Sequence, residues 1–216
     1  MKKLLFFLIT ILALFFNANA QEYPCNEYGE IEFTEVIVNS ELPQNILHSN
    51  AKTWAAKIFG DYKRSVQLED NDNFKLIVKG ASEVPYISKS AKGMIQTMYK
   101  INYTITIESR EGRYKYLIND IFLIRIMSIL GNITNGDPIS PLLHLKNIDN
   151  YSQKLIILKE TDISKMKKNE IEKHNEDIND YERLIKDEQI FFEFEYREIQ
   201  NIINSLKIGM NINNEW

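Results

Sequence analysis

From residue 31 onward the chain switches between two hydrophobic periods. Residues 31–39 read as a strand. Ile46, Leu47, Ala51, Trp54, Ala55, Ile58 and Phe59 then recur at spacings of three and four, which gathers them on one face of a helix. Pro43 suits the first turn, where a missing N–H is no loss, and Gly60 suits the left-handed stop. Residues 65–70 alternate, with Val66 and Leu68 on one side and Ser65, Gln67 and Glu69 on the other. Asp70, Asn71, Asp72 and Asn73 form a turn, because Asn and Asp tolerate left-handed geometry. A calcium loop there would need a glycine and a bidentate glutamate at offsets the sequence does not provide.

Residues 74–80 are the next strand, and 81–93, with Pro85 and several small residues, read as a loop. The cleanest alternation follows. Tyr99, Ile101, Tyr103, Ile105 and Ile107 face one way, and Lys100, Asn102, Thr104, Thr106 and Glu108 the other. That is a half-buried antiparallel strand. Gly112 ends the turn that sends 113–122 back beside it. Residues 125–160 lack a clear period and read as an irregular connection. Residues 161–210 are helical: a charged stretch with a thin seam of Ile171, Ile178, Tyr181 and Ile185, then a fuller stripe. In that stripe Phe192, Phe194 and Tyr196 also alternate like a strand. Phe192, Tyr196, Ile199, Ile203 and Leu206 sustain the helical spacing longer, so helix is chosen, ending near Gly209.

The pattern gives an α+β domain, a curved antiparallel sheet of about five strands in the order β-α-β-β-β-β-α. Two helices pack on one face, with an added charged helix toward the C-terminus. One sheet face is then covered and the other left to water or to a partner.

Composition adds an address. Lys2 and Lys3 precede an apolar run from Leu4 to Phe16, and small residues stand before Gln21. This is the pattern of a signal peptide cleaved between Ala20 and Gln21, and the run is too short to span a bilayer. The mature chain is expected to be exported, periplasmic or secreted, with 21–30 a flexible lead-in to a core at 31–124. Removing residues 1–20 takes away two lysines and no acids, so the net charge moves from -4 to -6. Such a chain is a poor partner for nucleic acid, whose phosphates need clustered cations. The single cysteine, Cys25, forms no internal disulfide, and it is not placed directly after the junction as a lipid anchor requires.

Several segments resemble a known family. They are Phe33-Thr34-Glu35-Val36-Ile37-Val38, the Ala51-Lys52-Thr53-Trp54 helix ending in Ile58-Phe59, and Ser65-Val66-Gln67-Leu68-Glu69-Asp70 continued by Ile77-Val78-Lys79-Gly80. The hairpin Tyr103-Thr104-Ile105-Thr106-Ile107 through Gly112-Arg113-Tyr114-Lys115-Tyr116 joins them, and more loosely Ile202-Ile203-Asn204-Ser205-Leu206-Lys207. In order and spacing they resemble a family of exported bacterial domains, domain of unknown function 4468, with a TBP-like (TATA-binding-protein-like) fold. The resemblance implies a helix, a curved antiparallel sheet and a closing helix. It implies no activity, since the family has no established catalytic residues, and the topological likeness does not bring DNA binding.

No chemistry-bearing motif stands out. His48, His144 and His174 have no metal-ligand spacing, no phosphate loop follows a strand, and no nucleophile elbow occurs. No metal, cofactor or catalytic residue is expected. Trp54, Tyr103, Phe192 and Tyr196 sit at core-period positions. The candidate surface is the polar sheet face: Ser65, Gln67, Lys75, Lys79, Lys100, Asn102, Thr104, Thr106, Arg113 and Lys115, with Glu69 and Glu108 at its margins. It would take a protein, peptide or anionic ligand of the cell envelope. The alternatives are a hydrolase-like enzyme and a helix-mediated structural or self-associating envelope protein.

Overall fold

The structure, a computed structural model, describes residues 24–90, 93–129 and 132–212. The apolar leader and the Ala20–Gln21 junction lie outside them. Strand β1 (Phe33–Val38) leads to helix α1 (Gln44–Phe59) and a single helical turn, Tyr62–Ser65. Strands β2 (Val66–Asp70), β3 (Lys75–Ser90), β4 (Gly93–Arg110) and β5 (Arg113–Ile129) follow, then the short β6 (Asn132–Asn135). Helices α2 (Pro141–Glu160) and α3 (Lys168–Met210) end the chain. The strands hydrogen-bond in the order β1-β5-β4-β3-β2, all antiparallel, and β6 pairs with the far end of β5.

The covered face is the one the alternation marks. Ile101, Tyr103, Ile105 and Ile107 of β4 are buried, in rows with Leu76 and Val78 of β3 and Tyr114, Tyr116 and Ile118 of β5. Leu47, Ala51, Trp54 and Ala55 of α1 and Ile199, Ile203, Leu206 and Met210 of α3 close over them. The two helices meet where Gly209 faces Trp54. A Cβ on that glycine would lie 2.6 Å from Trp54 Cδ1, so only glycine permits the crossing. Trp54 Nε1 donates to Ser205 Oγ at 3.1 Å. Asn50 Nδ2 donates to the carbonyls of Met210 and Ile212, which α3's end leaves without helical partners.

Three expectations are corrected. Residues 81–93 are not a loop: β3 and β4 run on as a long hairpin, paired from Lys75–Glu108 to Ser90–Gly93. Pro85 is tolerated because β2 pairs with β3 only as far as Val78; beyond it β3 is an edge strand and needs no donor there. Residues 125–160 are not irregular, since β5 extends to Ile129, β6 follows, and α2 starts at Pro141 under an N-cap by Ser140. The C-terminal region is one helix of 43 residues rather than a charged helix followed by a separate closing helix. Its first half pairs with α2 as a two-helix arm in which no residue from 145 to 190 is fully buried.

Candidate functional site

The strands carry their charges in register across the face turned away from the helices. Asp70 of β2 stands opposite Lys75, Lys75 opposite Glu108, and Glu108 opposite Lys115. Lys75 Nζ lies 2.9 Å from Glu108 Oε1. Hydrogen bonding from Lys75, reinforced by the charges of Lys115 and Arg110, holds the Glu108 carboxyl below its ordinary range. Glu108 is therefore central to this surface and not at its margin. Glu83 likewise faces Lys100 across β3 and β4. The expected basic face with Glu108 at its margin is corrected to a ladder of alternating sign.

Lys75, Lys79, Lys100, Asn102, Thr104, Thr106, Arg113 and Lys115 all lie on this face by register. Ser65 and Gln67 do not join it as expected. Ser65 closes the helical turn, and Gln67 falls in an irregularity between Val66 and Leu68 that breaks the alternation. Val66 consequently packs on the core and Leu68 turns outward, although the sequence places them together. Leu68, Val36 and Val38 expose 42%, 54% and 74% of their surface, which makes this face apolar as well as charged.

A second irregularity shapes the middle of the face. The β4–β5 register shifts between Asn102 and Thr104, and Asp120 opposite takes a left-handed backbone with φ 51°. A non-glycine residue in that region stores strain that the surroundings must hold. Thr104 Oγ1 donates to Asp120 Oδ2 at 2.9 Å, and Thr104 is buried, not exposed as the alternation predicts. Around the pair is a shallow hollow of about 490 Å³ lined by Lys79, Asn102, Thr104, Asp120, Phe122 and Ser140. Asn102 Nδ2 is buried at its edge with no hydrogen-bond partner. Another hollow, of about 240 Å³, lies between Val36, Arg110, Arg113 and Lys115.

A titratable group that the sequence does not reveal lies on the other side. Glu195 of α3 is only 1% exposed, and neither of its carboxylate oxygens has a hydrogen bond. Its Oε1 is 3.7 Å from His144 Nε2, and His144 Nδ1 is bonded to Glu188. Asn147 Nδ2 donates to the other Glu188 oxygen at 2.9 Å. His144 stacks on Phe191, which meets Tyr99 of β4 edge to face. Burial, with the nearby Glu188 charge, pushes the Glu195 carboxyl up to about 8. The helical stripe runs past Glu195 without signalling it, and His144 lies on α2, which the sequence leaves irregular. Among the described residues no cluster of three or more His, Cys, Asp or Glu is placed to hold a metal ion. No described helix is long and apolar enough to cross a membrane.

With strand order and covered face established, residues 33–122 match the profile of a domain of unknown function (DUF4468) with TBP-like fold. Over these residues the chain is similar to DUF4468 domains. The DUF4468 match takes in β1 through most of β5 and leaves α2 and α3 outside it. A TBP-like protein from Parabacteroides distasonis has a similar structure, with a TM-score of 0.50 at 12% identity over 88% of this chain and 98% of that one. A DUF4468 family protein from Bacteroides ovatus is aligned over 90% of this chain and 93% of its own, at 13% identity and a TM-score of 0.48. At such identities the Parabacteroides likeness concerns fold alone. No curated protein sequence matches the chain significantly.

Proposed function

We propose that the chain is exported and acts as a non-enzymatic binding module of the cell envelope, holding a protein or peptide partner on the helix-free face of its sheet. The observation that carries this reading is the combination on one face of exposed Val36, Val38 and Leu68 with the Asp70–Lys75–Glu108–Lys115 ladder. Apolar area supplies association free energy, and alternating charge fixes register and excludes wrong partners. The hollows on this face are shallow, which suits an extended chain or a second protein surface better than an engulfed small molecule. Export rests on the residue 1–20 pattern. It requires a mature N-terminus at Gln21, which intact mass of the protein recovered from cells will show.

A photo-activatable side chain placed at Lys79, Lys115 or Leu68 in living cells tests the binding face. Cross-links to one partner are expected there, and not from the same probe at Glu172 or Arg183 on the exposed arm. The double variant Lys100→Glu with Arg113→Glu is expected to keep its melting temperature while losing those cross-links. Cross-links confined to the arm would sink the reading.

One observation favours a second reading, self-association through the arm. Ile156 and Ile157 of α2 are 56% and 65% exposed on a pair of helices that lacks a buried core of its own. Sedimentation of the intact mature chain decides it, a monomer at high micromolar concentration ruling it out.

A further inference from the structure

We propose that His144, Glu188 and Glu195 form a proton-operated clasp that holds the first turns of α2 against α3, and that through Ser140 this clasp sets the shape of the hollow on the binding face. The second half rests on the binding-face reading above; the first half does not. Two physical observations carry the proposal. The cluster buries more charge-bearing groups than it has bonds to satisfy: both Glu195 oxygens and His144 Nε2 have no hydrogen bond, although they lie 3.7 Å apart at the closest ionic contact. And His144 follows by one helical turn on Ser140, which caps α2 by accepting from Leu142 N and also lines the hollow beside Lys79, Asp120 and Phe122.

The proton arithmetic defines two states. In the closed state three groups share two protons. Either neutral His144 donates from Nδ1 to Glu188 while the Glu195 carboxylic acid lies 3.7 Å from Nε2, or an imidazolium lies between two carboxylates. Both arrangements leave the cluster at a net charge of -1. Loss of a proton raises this to -2 inside an aromatic wall of Phe191 and Tyr99, where an uncompensated charge is costly. Among the described residues no lysine or arginine forms an ion pair with Glu188 or Glu195. From α2, His144 and the neutral Asn147 meet the pair, and Glu188 itself lies on α3. From the sheet come Tyr99 and, in register with it, Arg125, which is exposed and makes no ion pair with either glutamate among the described contacts. The least costly response is for the start of α2 to part from α3, since Pro141 and His144 are the only buried residues on α2.

Hydrogen exchange on the intact mature chain tests the clasp without any partner. Amides of 144–150 are expected to lose at least tenfold in protection between pH 6 and pH 9, after correction for intrinsic exchange, while amides of α1 do not. In Glu195→Gln the loss should vanish. If that variant does not fold, Glu188→Gln should move the transition to lower pH. An unchanged or α1-like response in the wild type overturns the clasp. An environment-sensitive fluorophore on Lys79→Cys, in a Cys25→Ser background, reads the hollow. Its emission should follow the same pH transition, and a flat signal beside a responsive α2 overturns the link to the binding face. Neither measurement depends on the in-cell cross-links, so failure of those leaves the clasp standing.

Discussion

Trp54→Ala is expected to destabilise the chain by about 3–5 kcal/mol, the range for removing a large buried aromatic side chain. For a chain of this size that lowers the melting temperature by roughly 6–20 °C. Trp54 is 3% exposed and joins three things that must be placed together. Its ring stands edge-on to Phe59 at 5.6 Å, its Nε1 donates to Ser205, and its Cβ and Cδ1 fill the space beside Gly209. Collapse into the cavity is hindered because both helices are already anchored on the sheet. Circular dichroism is the suitable readout, since the substitution removes one of the two tryptophans. Gly209→Val should give a loss of similar sign by the opposite route, overpacking. A Trp54→Ala protein that melts within 2 °C or so of wild type would show that α1 and α3 do not meet as described.

The second large effect is a dependence of stability on pH, set by Glu195. In the unfolded chain this carboxyl titrates near its ordinary 4.5, and in the folded chain burial raises it to about 8. The folded state therefore keeps a proton that the unfolded state has already released. Stability is complete below about pH 4.5, falls as the pH rises, and has lost the whole contribution above about pH 8. A displacement of that size corresponds to roughly 3–5 kcal/mol. Other groups act in the opposite sense. Lys207 hydrogen-bonds Glu35 at 2.6 Å and holds it low, as Lys75 does Glu108, so those pairs add stability above the carboxylate range and lose it in acid. Both are well exposed, and salt screens them. Urea titrations from pH 5 to pH 9 should show wild type weakening toward the alkaline end. Glu195→Gln should be nearly flat and the more stable protein at pH 9. A wild-type curve that stays level over this range would mean that the carboxyl is not enclosed.

How far the sequence reaches can be judged from particular residues. The alternation from Tyr99 to Glu108 is legible because one side of the strand meets helices and the other does not. Helix α1 is legible because its stripe and its Pro43 and Gly60 ends agree. Phe192 and Phe194 look ambiguous for a physical reason: at that point α3 lies between the start of α2 and the sheet, where Phe191 meets His144 and Tyr99 and Tyr196 meets Phe33, so its apolar surface is wider than a single stripe. Most of the candidate face is legible, Ser65, Gln67 and the buried Thr104 apart, but its electrostatic character is not. Read alone, Lys75 and Lys115 look like a basic patch, and only register shows Glu108 seated between them. Thr104 follows the alternation and is nevertheless buried, because a register shift brings Asp120 to its hydroxyl.

Local periodicity and end signals, which act over a few residues, settled by themselves that this chain is α+β, which strand side is greasy, and where the first helix starts and stops. Burial partners, by contrast, are chosen by pairing between distant segments. That pairing alone decided that 81–93 continues a hairpin past Pro85, that 141–160 is a helix, and that Glu195 lies enclosed beside His144. A side chain's charge is written in the sequence; its cost depends on what surrounds it, and only the fold sets that.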